Sequence, residues 1–231
     1  MPERRANGKR PQRRNPEATR QKLLTAARRE FADCGLAGAR VDEIAARAGV
    51  NKQLVYHYFG SKDGLYLAVL ERVYAEIREQ ERALSLEHLP PEEAMARLIA
   101  FSFDYLAAHP DFIALLNDEN GQSGRHLAKS RRMHEMHSPL IALIRQTLRN
   151  GAETGLFRGD MDALQLYISI AGLAYFYFSN NRTLSAIFDR DLAAPRAVAA
   201  RRRHVIDFVM AALRPEARPK RLANGKAVDR G

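Results

Sequence analysis

The chain has 231 residues, 46% of them hydrophobic and 28% charged, with 14 Gly and 10 Pro, which excludes a wholly disordered or collagen-like polymer and allows one large domain or two small ones. Its 37 Lys and Arg outnumber 27 Asp and Glu for a net charge of +10. The single cysteine, Cys34, excludes an internal disulfide framework and a paired-cysteine metal site.

The excess charge sits at the two ends. Residues 1–14 place Arg4, Arg5, Lys9, Arg10, Arg13 and Arg14 against Glu3 alone, and residues 214–231 place six cations against Glu216 and Asp229. Segments of this composition bury too little apolar surface to order themselves and suit a polyanion, so residues 1–15 are expected to be a disordered basic arm and residues 214–231 a disordered basic tail. A solvated end that only aids solubility is the alternative for each.

From residue 16 onward the apolar residues recur at three and four, and no strand pattern of any length occurs. Pro16 and Glu17 open a first helix to about Asp33, carrying Leu23, Leu24, Ala27 and Phe31 on one face, with Gly35 as its stop. Val41, Ile44, Ala45 and Ala48 define a short helix closed by Gly49, and a second short helix runs from about Asn51 to Phe59. Ser61 is a good N-cap for a longer helix carrying Leu65, Val69, Val73 and Ile77, which ends before Leu89-Pro90-Pro91. Helices are then expected over Glu92–Ala108, shortly after Pro110, around Gly124–Met136, and from Ser138 with Pro139 in the first turn. After Gly155 and Gly159 comes Asp162–Phe178, apolar on nearly all sides, and a last helix bears Val198, Val205, Ile206, Val209 and Leu213. A helix apolar all round needs partners on more than one side, either within a bundle or from a second subunit. The apolar stretches, such as Leu173–Phe178, are far shorter than the roughly 20 residues a bilayer requires, and no apolar leader follows the charged N-terminus, so no membrane is expected as a partner and the default address is cytoplasmic.

Residues 41–59 form two short helices about a tight turn, a helix-turn-helix in which Ala45, Ala46 and Ala48 permit close approach. On the second helix Leu54, Val55 and Phe59 are expected to turn inward, which leaves Lys52, Gln53, Tyr56 and His57 together on the opposite face. Lysine suits guanine acceptors or phosphates, glutamine suits adenine, and tyrosine and histidine suit backbone or base edges, so this face fits a major groove of double-stranded DNA. A helix pair that merely packs on a core is the plainer alternative.

The stretch from about Thr19 to Leu70 resembles the DNA-binding domain of the TetR/AcrR family of bacterial transcription regulators, chiefly through Val41-Asp-Glu-Ile-Ala-Ala-Arg-Ala-Gly-Val50 and Leu54-Val-Tyr-His-Tyr-Phe-Gly-Ser-Lys-Asp-Gly-Leu65. The resemblance implies an all-α chain: a three-helix helix-turn-helix domain over 16–60, then a larger helical domain over 61–213 for effector binding and dimerisation. It implies phosphate contacts for Tyr56 and Lys62 and base or backbone contacts for Lys52, Gln53, His57 and Tyr58. It further implies a homodimer built on the last two long helices, about 162–178 and 197–213. Arg40 stands where the family usually has a hydroxyl residue; it cannot cap the following helix but offers an ionic phosphate contact. Gln53 and Leu54 also depart from the family's usual small residue and Thr.

The function expected on these grounds is a one-component regulator, a repressor in preference to an activator, that binds a palindromic operator as a homodimer and is released by a small apolar or aromatic effector. Phe103, Phe112, His134, Tyr167 and Tyr175 are the candidate residues of the effector pocket. His134 and His137 with Glu135 and Glu119 do not fix a metal-ligand set, and no catalytic motif stands out, so neither metal, cofactor nor enzymatic activity is expected. The rival readings are a helical carrier or enzyme that keeps the motif for packing, and a DNA-binding protein that answers a protein partner.

Overall fold

The computed structural model describes residues 15–215, and among these no strand occurs. The helices are α1 (Pro16–Gly38), α2 (Val41–Ala48), α3 (Gln53–Phe59), α4 (Lys62–Arg82), α5 (Pro91–Ala108), α6 (Pro110–Gly121), α7 (Arg131–Glu153), α8 (Ala163–Phe188) and α9 (Pro195–Leu213), with 3-10 turns at Leu86–His88 and Leu127–Lys129. The expected basic arm and tail lie outside the described residues, except that Asn15 serves as the N-cap of α1 and Arg214 follows α9 as its C-cap.

Local chemistry accounts for most of the ends. The Asn15 side chain accepts hydrogen bonds from the amides of Glu17 and Ala18, at 3.1 and 3.2 Å. Ser61 Oγ accepts from the Gly64 amide at 3.0 Å and starts α4, and Asp162 Oδ1 accepts from Gln165 at 2.8 Å and starts α8. Gly49 closes α2 at φ 65°, ψ 36°, a left-handed conformation in which a side chain is costly. Gly35 does not end α1 as expected. It kinks the helix at φ 66°, and one further turn follows because the Leu36 amide donates to Asp118 Oδ2 at 3.0 Å while Leu36 itself is buried.

Leu23, Leu24, Ala27 and Phe31 of α1 pack with Ile44 and Ala45 of α2, Val55 of α3 and Leu65, Tyr66 and Val69 of α4 to form the core of the N-terminal unit. The long helix α4 continues out of that unit and packs against α5 and α7, while α6 leans on α1, so the two halves of the chain share two elements. In the C-terminal half α5 lies against α7, α8 and α9, with Leu98, Ile99, Phe103 and Leu106 turned inward.

Two regions differ from the expected elements. Ser138 and Pro139 do not open a helix. Ser130 is the N-cap, accepting from the Met133 amide at 3.3 Å, and α7 runs unbroken through Pro139. An interior proline costs about 3 kcal/mol. The buried stripe of Met133, Leu140, Ile144 and Leu148 continues on both sides of it, and each large apolar side chain contributes about 1.5–3 kcal/mol on burial, so packing outweighs the lost bond. The segment Gly124–Met136, expected to be one helix, is instead a turn at Gly124 (φ 67°), the second 3-10 turn and the start of α7. The second difference is α8, which extends ten residues past Phe178. The polar run from Ser179 reads as a loop in sequence, but Asn180 Nδ2 donates to Phe176 O and Thr183 Oγ1 to Asn180 O, both at 2.9 Å, so the run bonds to its own helix. No single helix among the described residues is long and apolar enough to cross a membrane.

Candidate nucleic-acid interface and effector cavity

The recognition surface is built on α3, whose orientation is set from beneath by the fully buried Val55 and the half-buried Leu54 and Phe59. The Arg20 guanidinium lies 5.5 Å from the Phe59 ring centroid. Asn51 Oδ1 accepts from the Gln53 amide at 2.8 Å and begins the helix. With the apolar side pinned, Lys52, Gln53, Tyr56 and His57 all stand exposed, Tyr56 at 47%. Tyr58 is half-buried and packs against the core, its ring edge-on to His57 at 5.1 Å. Arg40 is exposed at the head of α2, makes no side-chain cap, and donates its amide to Glu30 at 3.3 Å.

Two cations of this surface have intramolecular partners. Lys52 Nζ lies 3.0 Å from Asp42 Oδ1, and the hydrogen bond to that carboxylate holds the ammonium above its ordinary range. Lys62 Nζ donates to Ala37 O at 3.2 Å, which ties the start of α4 to the end of α1 and leaves the ammonium two more donors. Helix α2 is clamped to α1 by Arg47 and the buried Glu30, 3.2 Å apart.

Two adjoining hollows that share Arg78 and Glu81 open in the C-terminal half, one between α4 and α7 and the other between α4, α5, α6 and α8. One has a volume of about 310 Å³ and is walled by Leu86, Met136, Pro139, Leu140 and Leu143. The other, about 90 Å³, is walled by Tyr74, Ser102, Phe112, Tyr167 and Tyr175. Arg78 and Glu81 border both. Three expected pocket residues, Phe112, Tyr167 and Tyr175, therefore line the smaller hollow. Phe103 does not: it is fully buried against Phe178 and Tyr177, with ring centroids 4.9 and 6.3 Å away, because its position on α5 faces α8. The His134 side chain lies outside the described residues. A roomier concavity of about 590 Å³ is an open groove beside Gln21, Lys22, Arg29 and Arg47, without the enclosed apolar character of a small-molecule site.

Sequence reasoning missed Arg78 and Glu81, the polar feature of this cavity. Both are buried, with Arg78 Nη1 2.9 Å from Glu81 Oε2, and burial pushes the Glu81 carboxyl up to about 7 against the opposing pull of Arg78 and Arg82. The signal was faint: Arg78 and Glu81 sit three apart beside Ile77, where charged residues on an amphipathic helix ordinarily face water.

The cavity connects to the N-terminal unit through α6. The Tyr175 hydroxyl donates to Asn117 Oδ1 and accepts from Asn120 Nδ2 at 3.3 Å. One residue along, Asp118 holds the Leu36 amide at the α1 kink. The fully buried Glu119 accepts from the amides of His126 and Leu127 at 2.8 and 3.0 Å and pairs with His126 Nδ1 at 2.7 Å. The other ring nitrogen of His126 lies 3.2 Å from Asp63 in the first turn of α4, lowering the Asp63 pKa chiefly through that hydrogen bond.

Helices α8 and α9 carry a separate feature. On α8, Leu164, Ile168 and Phe176 fall at helical spacing and are each about half exposed, with Gly172 between them facing open space. On α9, Phe208 is likewise exposed, stacked with His204. An apolar stripe of this kind is a candidate surface for a protein contact.

Residues 23–69 match the family of bacterial regulatory proteins described as the tetR family, and residues 91–209 match the tetracyclin repressor-like C-terminal domain. The chain is 36% identical over 198 residues to the HTH-type transcriptional repressor NicS of Pseudomonas putida, an alignment covering 86% of this chain and 93% of that protein. It is 35% identical over 164 residues to the HTH-type transcriptional repressor SCO4008 of Streptomyces coelicolor, covering 70% and 79% of the two chains. The crystal structure of SCO4942 from Streptomyces coelicolor superposes with a TM-score of 0.63 at 30% identity, covering 85% of this chain and 99% of that one.

Proposed function

The chain belongs to the TetR family of DNA-binding transcription regulators, and from that premise we propose that it is a cytoplasmic, homodimeric repressor whose paired α3 helices read a palindromic operator and are released when a small effector fills the C-terminal cavity. The observation that carries this reading is the outward face of α3, where Lys52, Gln53, Tyr56 and His57 stand together in water while Val55 anchors the other side. Side chains of this kind give base-edge and phosphate contacts in a major groove. Tyr56, Lys62 and Arg40 supply backbone contacts, Gln53 and His57 base contacts, and Lys52 exchanges Asp42 for a phosphate or guanine. Tyr58 acts from its half-buried position by supporting His57. Residues 16–60 form the operator-reading unit and residues 61–213 the sensing and dimerising one.

The apolar stripe on α8 and α9 supports dimerisation, because burying Leu164, Ile168, Phe176 and Phe208 against a second copy removes them from water. Two-fold symmetry then places the recognition helices at half-sites about 34–36 Å apart, or a multiple of that. Both relatives named above are repressors, which favours repression here. The effector acts by favouring one of two states: a ligand that displaces Tyr175 moves Asn117 and with it the adjoining Asp118 and Glu119, which hold the α1 kink and the first turn of α4.

The test is a gel shift of the Tyr56→Ala, Lys62→Ala double variant on DNA selected by the wild-type chain. Each charged or phosphate hydrogen bond contributes about 1.5–3 kcal/mol, so affinity is expected to fall at least about a hundredfold with helicity and melting temperature retained. Unchanged DNA binding would remove α3 and the start of α4 from the interface.

A further inference from the structure

The cavity holds one group that the fold leaves unsatisfied. Arg78 is 4% exposed, yet its Nε and Nη1 have no hydrogen-bond partner, although Glu81 Oε2 lies near Nη1. The guanidinium carbon stands 6.0 Å from the centre of the Tyr167 ring, so one face of its plane is covered, and the residue borders both chambers while Nε and Nη1 themselves are screened from solvent until the side chain shifts. A guanidinium buried without its hydrogen bonds is costly, and the cost falls when an acceptor of opposite charge arrives.

Building on the reading of this chain as an effector-released regulator, we infer that the cavity takes a compact organic carboxylate: its carboxylate group bonds the Nε–Nη2 edge of Arg78 and so satisfies the orphaned Nε, and its apolar body fills the chamber of Leu86, Met136, Leu140 and Leu143. Arg is the side chain whose planar fork matches a carboxylate in two parallel hydrogen bonds. The chamber volume, about 310 Å³, lies at the lower end of the roughly 300–1,000 Å³ common for small-molecule sites, which suits a one-ring or short-chain molecule. Its walls are aliphatic, and the exposed Arg82 at the mouth adds a second positive charge, partly offset by Glu87. Glu81 admits an anion because burial raises its carboxyl to about 7, so that a large share of it is uncharged near neutrality and protonation relieves its repulsion of an arriving carboxylate. On the far side of Arg78 the smaller chamber leads to Tyr175 and its bonds to α6, so an anion that draws Arg78 from its place beside Tyr167 disturbs the element that reaches the N-terminal unit.

The experiment titrates the full chain with benzoate, phenylacetate and hexanoate, and with the neutral amide of each, by calorimetry and by melting temperature. At least one acid is expected to bind at least about tenfold more tightly than its amide, a difference of about 1.4 kcal/mol. The Arg78→Gln variant is expected to lose that preference while keeping its DNA affinity. Equal binding of acid and amide, no binding of any acid at millimolar concentration, or unchanged acid binding by a folded Arg78→Gln variant would each overturn the inference. If Arg78→Gln fails to fold, the acid-against-amide comparison on the wild-type chain decides. Release of selected DNA is read separately: an acid that binds at Arg78 without releasing DNA upholds the anion site and sinks the effector reading, whereas loss of DNA binding in the wild-type chain would sink the regulator reading and leave the anion site standing.

Discussion

Helices α3 and α8 both expose side chains that no other described residue covers, but of opposite kinds. Helix α3 turns Lys52, Gln53, Tyr56 and His57 outward over a small, tightly packed unit. Helix α8 turns Leu164, Ile168 and Phe176 outward and packs its other face on α5, α6 and α7. Polar and cationic groups held rigidly in water are poised for a hydrogen-bonding, anionic partner, whereas a row of exposed apolar groups is stable only when a protein surface removes it from water. In the proposed dimer the contrast divides the labour: one helix of each subunit would read DNA, and the other would hold two readers at a fixed separation.

Charging the stripe breaks the comparison most severely. Ile168→Glu with Phe176→Glu is expected to leave a folded monomer by sedimentation and to weaken operator binding by about 10²–10⁴-fold, since the second half-site contact then becomes bimolecular. Next in size, Gln53→Ala removes a proposed base contact worth about 1–3 kcal/mol in each half-site and should relax sequence preference without altering salt dependence, while Lys62→Ala, which removes one phosphate contact from each subunit, should reduce the slope of log affinity against log salt by about 1.8. Competition between selected and random DNA over a range of salt concentrations separates the two. Asp42→Asn sharpens the picture in the opposite direction. It frees Lys52 from its 3.0 Å partner and removes a negative charge beside the proposed DNA-reading face, so affinity is expected to rise about two- to fivefold, a small effect because the pair is exposed and screened.

The smallest effect lies in the interior of the C-terminal half. Burial raises the Glu81 carboxyl from 4.5 to about 7, so the folded state binds the proton more tightly than the unfolded chain does. Stability from this group is therefore greatest below pH 4.5, declines as pH rises between 4.5 and about 7, and is level above that. The melting temperature of the wild type relative to Glu81→Gln should fall by a few degrees across that window. A difference that does not vary with pH would show that Glu81 titrates normally.

The two regions also differed in how much their sequence disclosed. In the N-terminal unit local chemistry decides the structure: Asn15, Gly49, Asn51 and Ser61 set the helix ends, and Val55 fixes which way α3 faces, so the exposed quartet follows from spacing alone. In the C-terminal half tertiary packing overrides local signals. Pro139 lies inside α7 because the stripe from Met133 to Leu148 continues past it, and Ser179–Thr183 stay helical because their side chains bond back to α8 or to Asn117 on α6. Arg78 and Glu81 were illegible for a similar reason: a lone sequence does not tell a buried charged pair from a solvated one, since only the convergence of α4, α5, α7 and α8 buries them.

The central claim is that two α3 helices, related by two-fold symmetry, read DNA together. Sequencing the DNA that the full chain selects from a random pool tests it most directly. An inverted repeat is expected, with half-sites centred about 34–36 Å apart or a multiple of that and with the preferred bases of both half-sites relaxed in Gln53→Ala. Selected DNA with no inverted repeat, or with half-sites indifferent to Gln53, would contradict it.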